Sequence, residues 1–160
     1  MKKSTHAFCS TFVGISLMLL AGCGYNDLVS FREETTSQWA QVENAYQRRL
    51  DLIPNLVEVT KGYAAHESGV FTAIADARAR IGEVKIDPSN MTEEDMARFQ
   101  AAQQSLGGAL SRLLVLKEAY PELKANEQFA RLTDEIAGSE NRISNERRIF
   151  NEKAQRYNQR

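Results

Sequence analysis

Phe99, Ala102, Leu106, Ala109, Leu113, Leu116 and Tyr120 follow one another at steps of three, four, three, four, three and four. That spacing lines one side of an α-helix and is incompatible with the period of two that a half-buried strand requires. Other stretches carry similar stripes. Trp39, Val42 and Tyr46 follow the same steps, with Leu50 and Ile53 carrying the stripe on. Val57, Ala64, Phe71, Ile74 and Ile81 share a side, as do Phe129, Leu132, Ile136, Ile143, Phe150, Ala154 and Tyr157. The three prolines, at 54, 88 and 121, then divide the patterned chain into stretches 26–52, 54–82, 91–118 and 121–158. Four amphipathic helices of this length are expected to fold as an all-α, antiparallel four-helix bundle. The stripe passes from Ile53 to Val57 nearly in phase, so three long helices, the first kinked at Pro54, are the alternative.

The boundaries have local causes. Gly82, Asp87, Pro88, Ser89 and Asn90 make a loop composition. Asn90 or Thr92 can cap the third helix, and Glu93, Glu94 and Asp95 suit the positive end of its dipole. Pro121 disfavours helical geometry at Tyr120 and fits an early helical position itself. Gly107-Gly108 lies inside the third stripe, at a cost of about 1 kcal/mol per glycine relative to alanine. Close approach of a neighbouring helix is the expected compensation.

The N-terminus reads as an address. Lys2 and Lys3 precede a mostly apolar stretch from Ala7 to Ala21, which is short of the ~20 residues a spanning helix needs. Leu20-Ala21-Gly22-Cys23 resembles the lipobox of bacterial lipoproteins. That resemblance implies a signal peptide over residues 1–22 and an acylated Cys23 heading a domain of residues 23–160. A second acyl chain makes such anchoring stable where one is marginal. The expected location is the bacterial cell envelope; without an aspartate after Cys23, it is the periplasmic face of the outer membrane in a Gram-negative cell.

Removal of residues 1–22 takes away two lysines and no acid. It leaves 138 residues with 18 basic against 21 acidic side chains, a net charge of −3 in place of −1. No basic footprint for nucleic acid remains. Cys9 leaves with the signal and Cys23 is consumed by lipid, so thiolate chemistry and disulfides are not expected. His66 is the only histidine of the mature domain. His66-Glu67 lacks the second histidine of a zincin, position 70 being Val, and Tyr63 stands where a Glu-x-x-His motif needs its glutamate. No metal, cofactor or catalytic residue is therefore assigned.

Longer motifs carry a family resemblance. Arg48 to Glu58 reads RRLDLIPNLVE and continues to Lys61-Gly62-Tyr63-Ala64 and His66-Glu67. Glu118 to Ala125 reads EAYPELKA, followed by Phe129 and Leu132. Glu140-Asn141-Arg142-Ile143 precedes Arg147-Arg148, Phe150-Asn151 and Tyr157-Asn158. Together with Tyr25-Asn26 and Trp39, these resemble the LemA family over about residues 25–158. The resemblance implies a membrane-attached four-helical bundle without an established enzymatic activity. Family members commonly keep an N-terminal membrane helix, where this chain carries a lipoprotein signal. They also continue into a Phe-Pro-containing tail, whereas this chain stops at Arg160.

The polar residues within these motifs are the candidate interaction surface: Arg49, Asp51, Asn55, Tyr120, Lys124, Glu140, Asn141 and Arg142. Their bland role is to satisfy loop backbone and to join helices by hydrogen bonds. The function expected is that of a lipid-anchored, non-catalytic scaffold or adaptor docking an envelope protein. The alternative is binding of a lipid or small apolar ligand inside the bundle.

Overall fold

The computed structural model describes the backbone of residues 3–88 and 90–159 and the side chains of residues 26–88 and 90–159. The expected signal peptide and the lipid on Cys23 fall on side chains outside the described residues. Within the described residues the chain is all-helical and has no strand. Helix α1 spans Lys3–Lys61, α2 Ser68–Glu83, α3 Glu93–Ala119, α4 Pro121–Lys124 and α5 Glu127–Asn158.

Helix α1 packs along α5, and α2 along α3. The α1–α5 pair is antiparallel. Gln38 Nε2 donates to Glu146 Oε2 at 2.7 Å, and Arg49 pairs with Glu140. At the far end, Asn126 Nδ2 donates to the Tyr63 hydroxyl at 2.9 Å. Rising numbers from α1 thus meet falling numbers from α5.

The first helix, expected from residue 26, already begins at Lys3, and three further boundaries differ from the sequence expectation. First, α1 runs through Pro54 and ends at Lys61. The missing N–H and the ring clash cost about 3 kcal/mol. Ile53 and Leu56, on either side of the proline, are fully buried. Each such side chain contributes roughly 1.5–3 kcal/mol, which outweighs the defect. The expected break moves to Gly62, where the Tyr63 N–H turns back to the Thr60 carbonyl at 3.0 Å. Second, the expected helix 54–82 is in fact the end of α1, a turn, and the separate α2. Third, the expected helix 121–158 is interrupted. Pro121 opens the single turn α4, whose Leu123 is fully buried, and the chain restarts at Glu127 with the Asn126 side chain accepting from the Phe129 N–H at 2.8 Å.

The start of α3 follows expectation. Thr92 caps it: its hydroxyl accepts from the Asp95 N–H at 3.1 Å, and the Asp95 carboxylate accepts from the Thr92 N–H at 3.2 Å. This reciprocal pair satisfies two otherwise orphaned donors.

The core forms two clusters. One is aliphatic, built on Ile53, Leu56, Ile74, Leu106, Leu113, Leu123 and Leu132. The other is aromatic, built on Trp39, Tyr46, Phe99 and Phe150 with Val42 and Ile143. Trp39 meets Phe99 and Phe150 edge-on at 5.5 and 5.1 Å between ring centroids, and Tyr46 meets Phe99 at 4.9 Å. Such edge-to-face pairs add about 0.5–1.5 kcal/mol each beyond burial.

Candidate functional site

The buried seam of α1 is Trp39, Val42, Tyr46, Arg49, Ile53, Leu56 and Thr60, alternating steps of three and four. Its middle position is an arginine. The sequence expectation carried the stripe through Leu50; Leu50 is only partly buried, while Arg49 is 3% exposed. A guanidinium this deep is tolerated only when paired and hydrogen-bonded. Arg49 Nη1 donates to Glu140 of α5, and Nη2 donates to Oε1 of Gln103 on α3. Its Cζ lies 5.4 Å from the centre of the Tyr46 ring, within cation–π reach.

Each of three helices therefore interrupts its apolar seam at one level. Arg49 does so in α1 and Gln103 in α3. In α5 the buried Ser139, between Ile136 and Ile143, donates to the Ile136 carbonyl at 2.7 Å, beside Glu140. This polar layer lies between the aromatic and the aliphatic cluster. Two of its donors, Arg49 Nε and Gln103 Nε2, are buried without a hydrogen-bond partner. Burial also pushes the Tyr46 hydroxyl above its ordinary pKa, an effect partly offset by the positive charges of Arg147 and Arg49.

Above the layer, between α3 and α5, lies an open groove of about 660 Å³. Arg49, Gln103, Glu140, Asn141 and Arg147 line it, with Leu110, Leu114 and Ile136. Gly107 lines it too, and Gly108 lines a second groove between α2 and α3. A Cβ at either glycine would meet nothing within 4 Å. The expected close helix approach is thus absent at both positions; the glycines face space, not a neighbouring backbone.

The other candidate residues lie elsewhere. Asp51 is exposed and accepts from Gln47 at 2.7 Å; Asn55 is exposed on the same helix. The Tyr120 hydroxyl donates to Glu67 at 3.1 Å, which raises its pKa. Lys124 pairs with Glu118 at 2.9 Å and holds that carboxyl below its usual pKa. Arg142 is exposed. The structure thus brings Arg49, Glu140 and Asn141 to one groove and leaves Asp51, Asn55, Tyr120, Lys124 and Arg142 outside its lining. Sequence reasoning missed Gln103 and Arg147. Gln103 was findable, because it stands four residues after Phe99 and three before Leu106 on the buried side of α3.

Among the described residues, no cluster of three His, Cys, Asp or Glu side chains can hold a metal ion. No helix there is long and apolar enough to cross a membrane.

The comparisons with known proteins agree with the motifs. Magnetosome protein MamQ of Magnetospirillum gryphiswaldense is 27% identical over 151 residues, covering 84% of this chain. Magnetosome proteins MamQ 1 and MamQ 2 of Paramagnetospirillum magneticum match to the same extent. The chain spans about half the length of these relatives, 56% in each case. The family model matches residues 38–160, from just before Trp39 through the polar layer and both core clusters. With most of its length so matched, the chain belongs to the LemA family.

Proposed function

We propose that this chain is a non-catalytic helical scaffold of the bacterial cell envelope, held to its membrane by lipid on Cys23 and docking an envelope protein. The observation that carries the reading is Leu20-Ala21-Gly22-Cys23, placed at the end of a short apolar stretch behind two lysines. The pairing of α1 with α5 and of α2 with α3 supports an antiparallel four-helix arrangement for its body. Cys23 lies on the backbone of α1 itself, so no extended tether separates the anchor from the helical body.

Fractionation of cells producing the Cys23→Ser variant tests the anchor. The expected outcome is release into the soluble fraction; retention equal to wild type sinks it. In-cell crosslinking from Asp51, Asn55, Lys124 and Arg142, the exposed candidates, tests docking, with a discrete envelope protein as the expected product. A ligand enclosed inside an apolar bundle core gains less support, because the larger spaces are grooves open to solvent, lined by polar and apolar side chains together.

A further inference from the structure

The geometry points to a binding site for an aliphatic carboxylate in the α3–α5 groove, with its head on Arg49 and Gln103.

The first observation is the pair of unpartnered donors. Arg49 Nε and Gln103 Nε2 are buried and unsatisfied, and both residues line the groove. The Gln103 amide orientation is set by its partner: Oε1 accepts from Arg49, which leaves Nε2 as a donor. A buried polar group without a partner is costly, so two at one place call for an acceptor. Both orphans are donors, so the complementary group is an acceptor-only oxygen pair.

The second observation is charge. The charged side chains lining the groove are Arg49, Arg147 and Glu140, two cations against one anion. That balance fits a monoanion. A dianionic phosphate monoester would leave excess negative charge beside Glu140. A carboxylate supplies one negative charge and two acceptor oxygens, and matches an arginine in particular.

The third observation is room and lining. At about 660 Å³ the groove lies within the range of small-molecule sites. Leu110, Leu114 and Ile136 supply apolar wall, and Gly107 withholds a side chain where a Cβ would meet open space. The two glycines of α3 weaken that helix, and room for a ligand tail gives Gly107 a reason that close packing does not.

The test is titration of the purified full-length chain with octanoate, followed by calorimetry, with octanol and acetate as matched probes. Saturable binding of one octanoate per chain is expected, with octanol and acetate each at least tenfold weaker. Gly107→Leu fills the groove and is expected to weaken octanoate binding at least tenfold at unchanged helicity. Gln103→Met removes the donor at similar volume and is expected to weaken it about tenfold. Absence of saturable octanoate binding overturns the site. So does octanol binding as tightly as octanoate, or an unchanged affinity in Gly107→Leu. The site goes beyond the scaffold reading and stands apart from it: Cys23→Ser is expected to keep full octanoate affinity.

Discussion

The two sides of the polar layer solve the same packing problem with different chemistry. Towards Trp39, few large aromatic rings meet edge-on, and the Trp39 Nε1 is buried without a partner. Towards Leu106, many aliphatic side chains from all five helices interlock. The aromatic side rests on three helices, α1, α3 and α5, and each of its rings touches another. It therefore depends on few contacts of fixed geometry, whereas the aliphatic side distributes its burial. The layer between them excludes neither helix continuity nor cooperativity, because α1, α3 and α5 run through it unbroken.

The largest effects should come from cutting each side separately. Trp39→Ala is expected to cost about 3–5 kcal/mol and Leu106→Ala about 2–5 kcal/mol in urea unfolding. Both should shift one common transition, read by far-UV and near-UV dichroism alike. Separate transitions for the two signals would break the picture of one cooperative unit. On the aliphatic side, Pro54→Ala restores an N–H to a helix that already passes through this position. Stability should rise by up to about 3 kcal/mol; a loss would mean that the proline shapes α1 in a way packing requires.

The layer itself comes next. Arg49→Ala is expected to cost about 2 kcal/mol, below the 3–5 typical of a broken buried pair because Glu140 is about half exposed. Replacing the whole layer, with Arg49→Met, Gln103→Leu and Glu140→Leu together, should recover most of that loss by joining the two clusters. A triple variant less stable than Arg49→Ala alone would show that the layer contributes net stability. At the aromatic side, Thr92→Ala removes the cap of α3 and should cost about 1 kcal/mol.

The smallest effect is a pH dependence. Tyr46 has its folded pKa above the unfolded value near 10. Its neutral hydroxyl therefore contributes stability that is complete below about pH 10 and is lost as pH rises through the folded pKa. Tyr46→Phe should flatten the alkaline decline in melting temperature. An unchanged decline would assign it to other groups.

Much of this was legible beforehand because helical periodicity is a local signal. The α3 stripe, the Thr92 start and the Asp87–Asn90 loop composition all act within a few residues. The pairing of Arg49 with Glu140 was not legible, since 91 positions separate them and charge alone does not choose among many partners. Arg49 was chosen as a surface candidate and is in fact a core residue. Its position in the seam of α1, three after Tyr46 and four before Ile53, held that information.

What the sequence determined by itself is the helical class, the polar and apolar faces, and the family. These follow from spacing and composition, which every residue reports independently. Tertiary structure decided where the helices break and which polar residues leave solvent. Pro54 stays helical because Ile53 and Leu56 are buried against neighbours that only folding supplies. Gly107 faces a groove and not a helix because the separation of α3 from α5 is a property of the whole packed body.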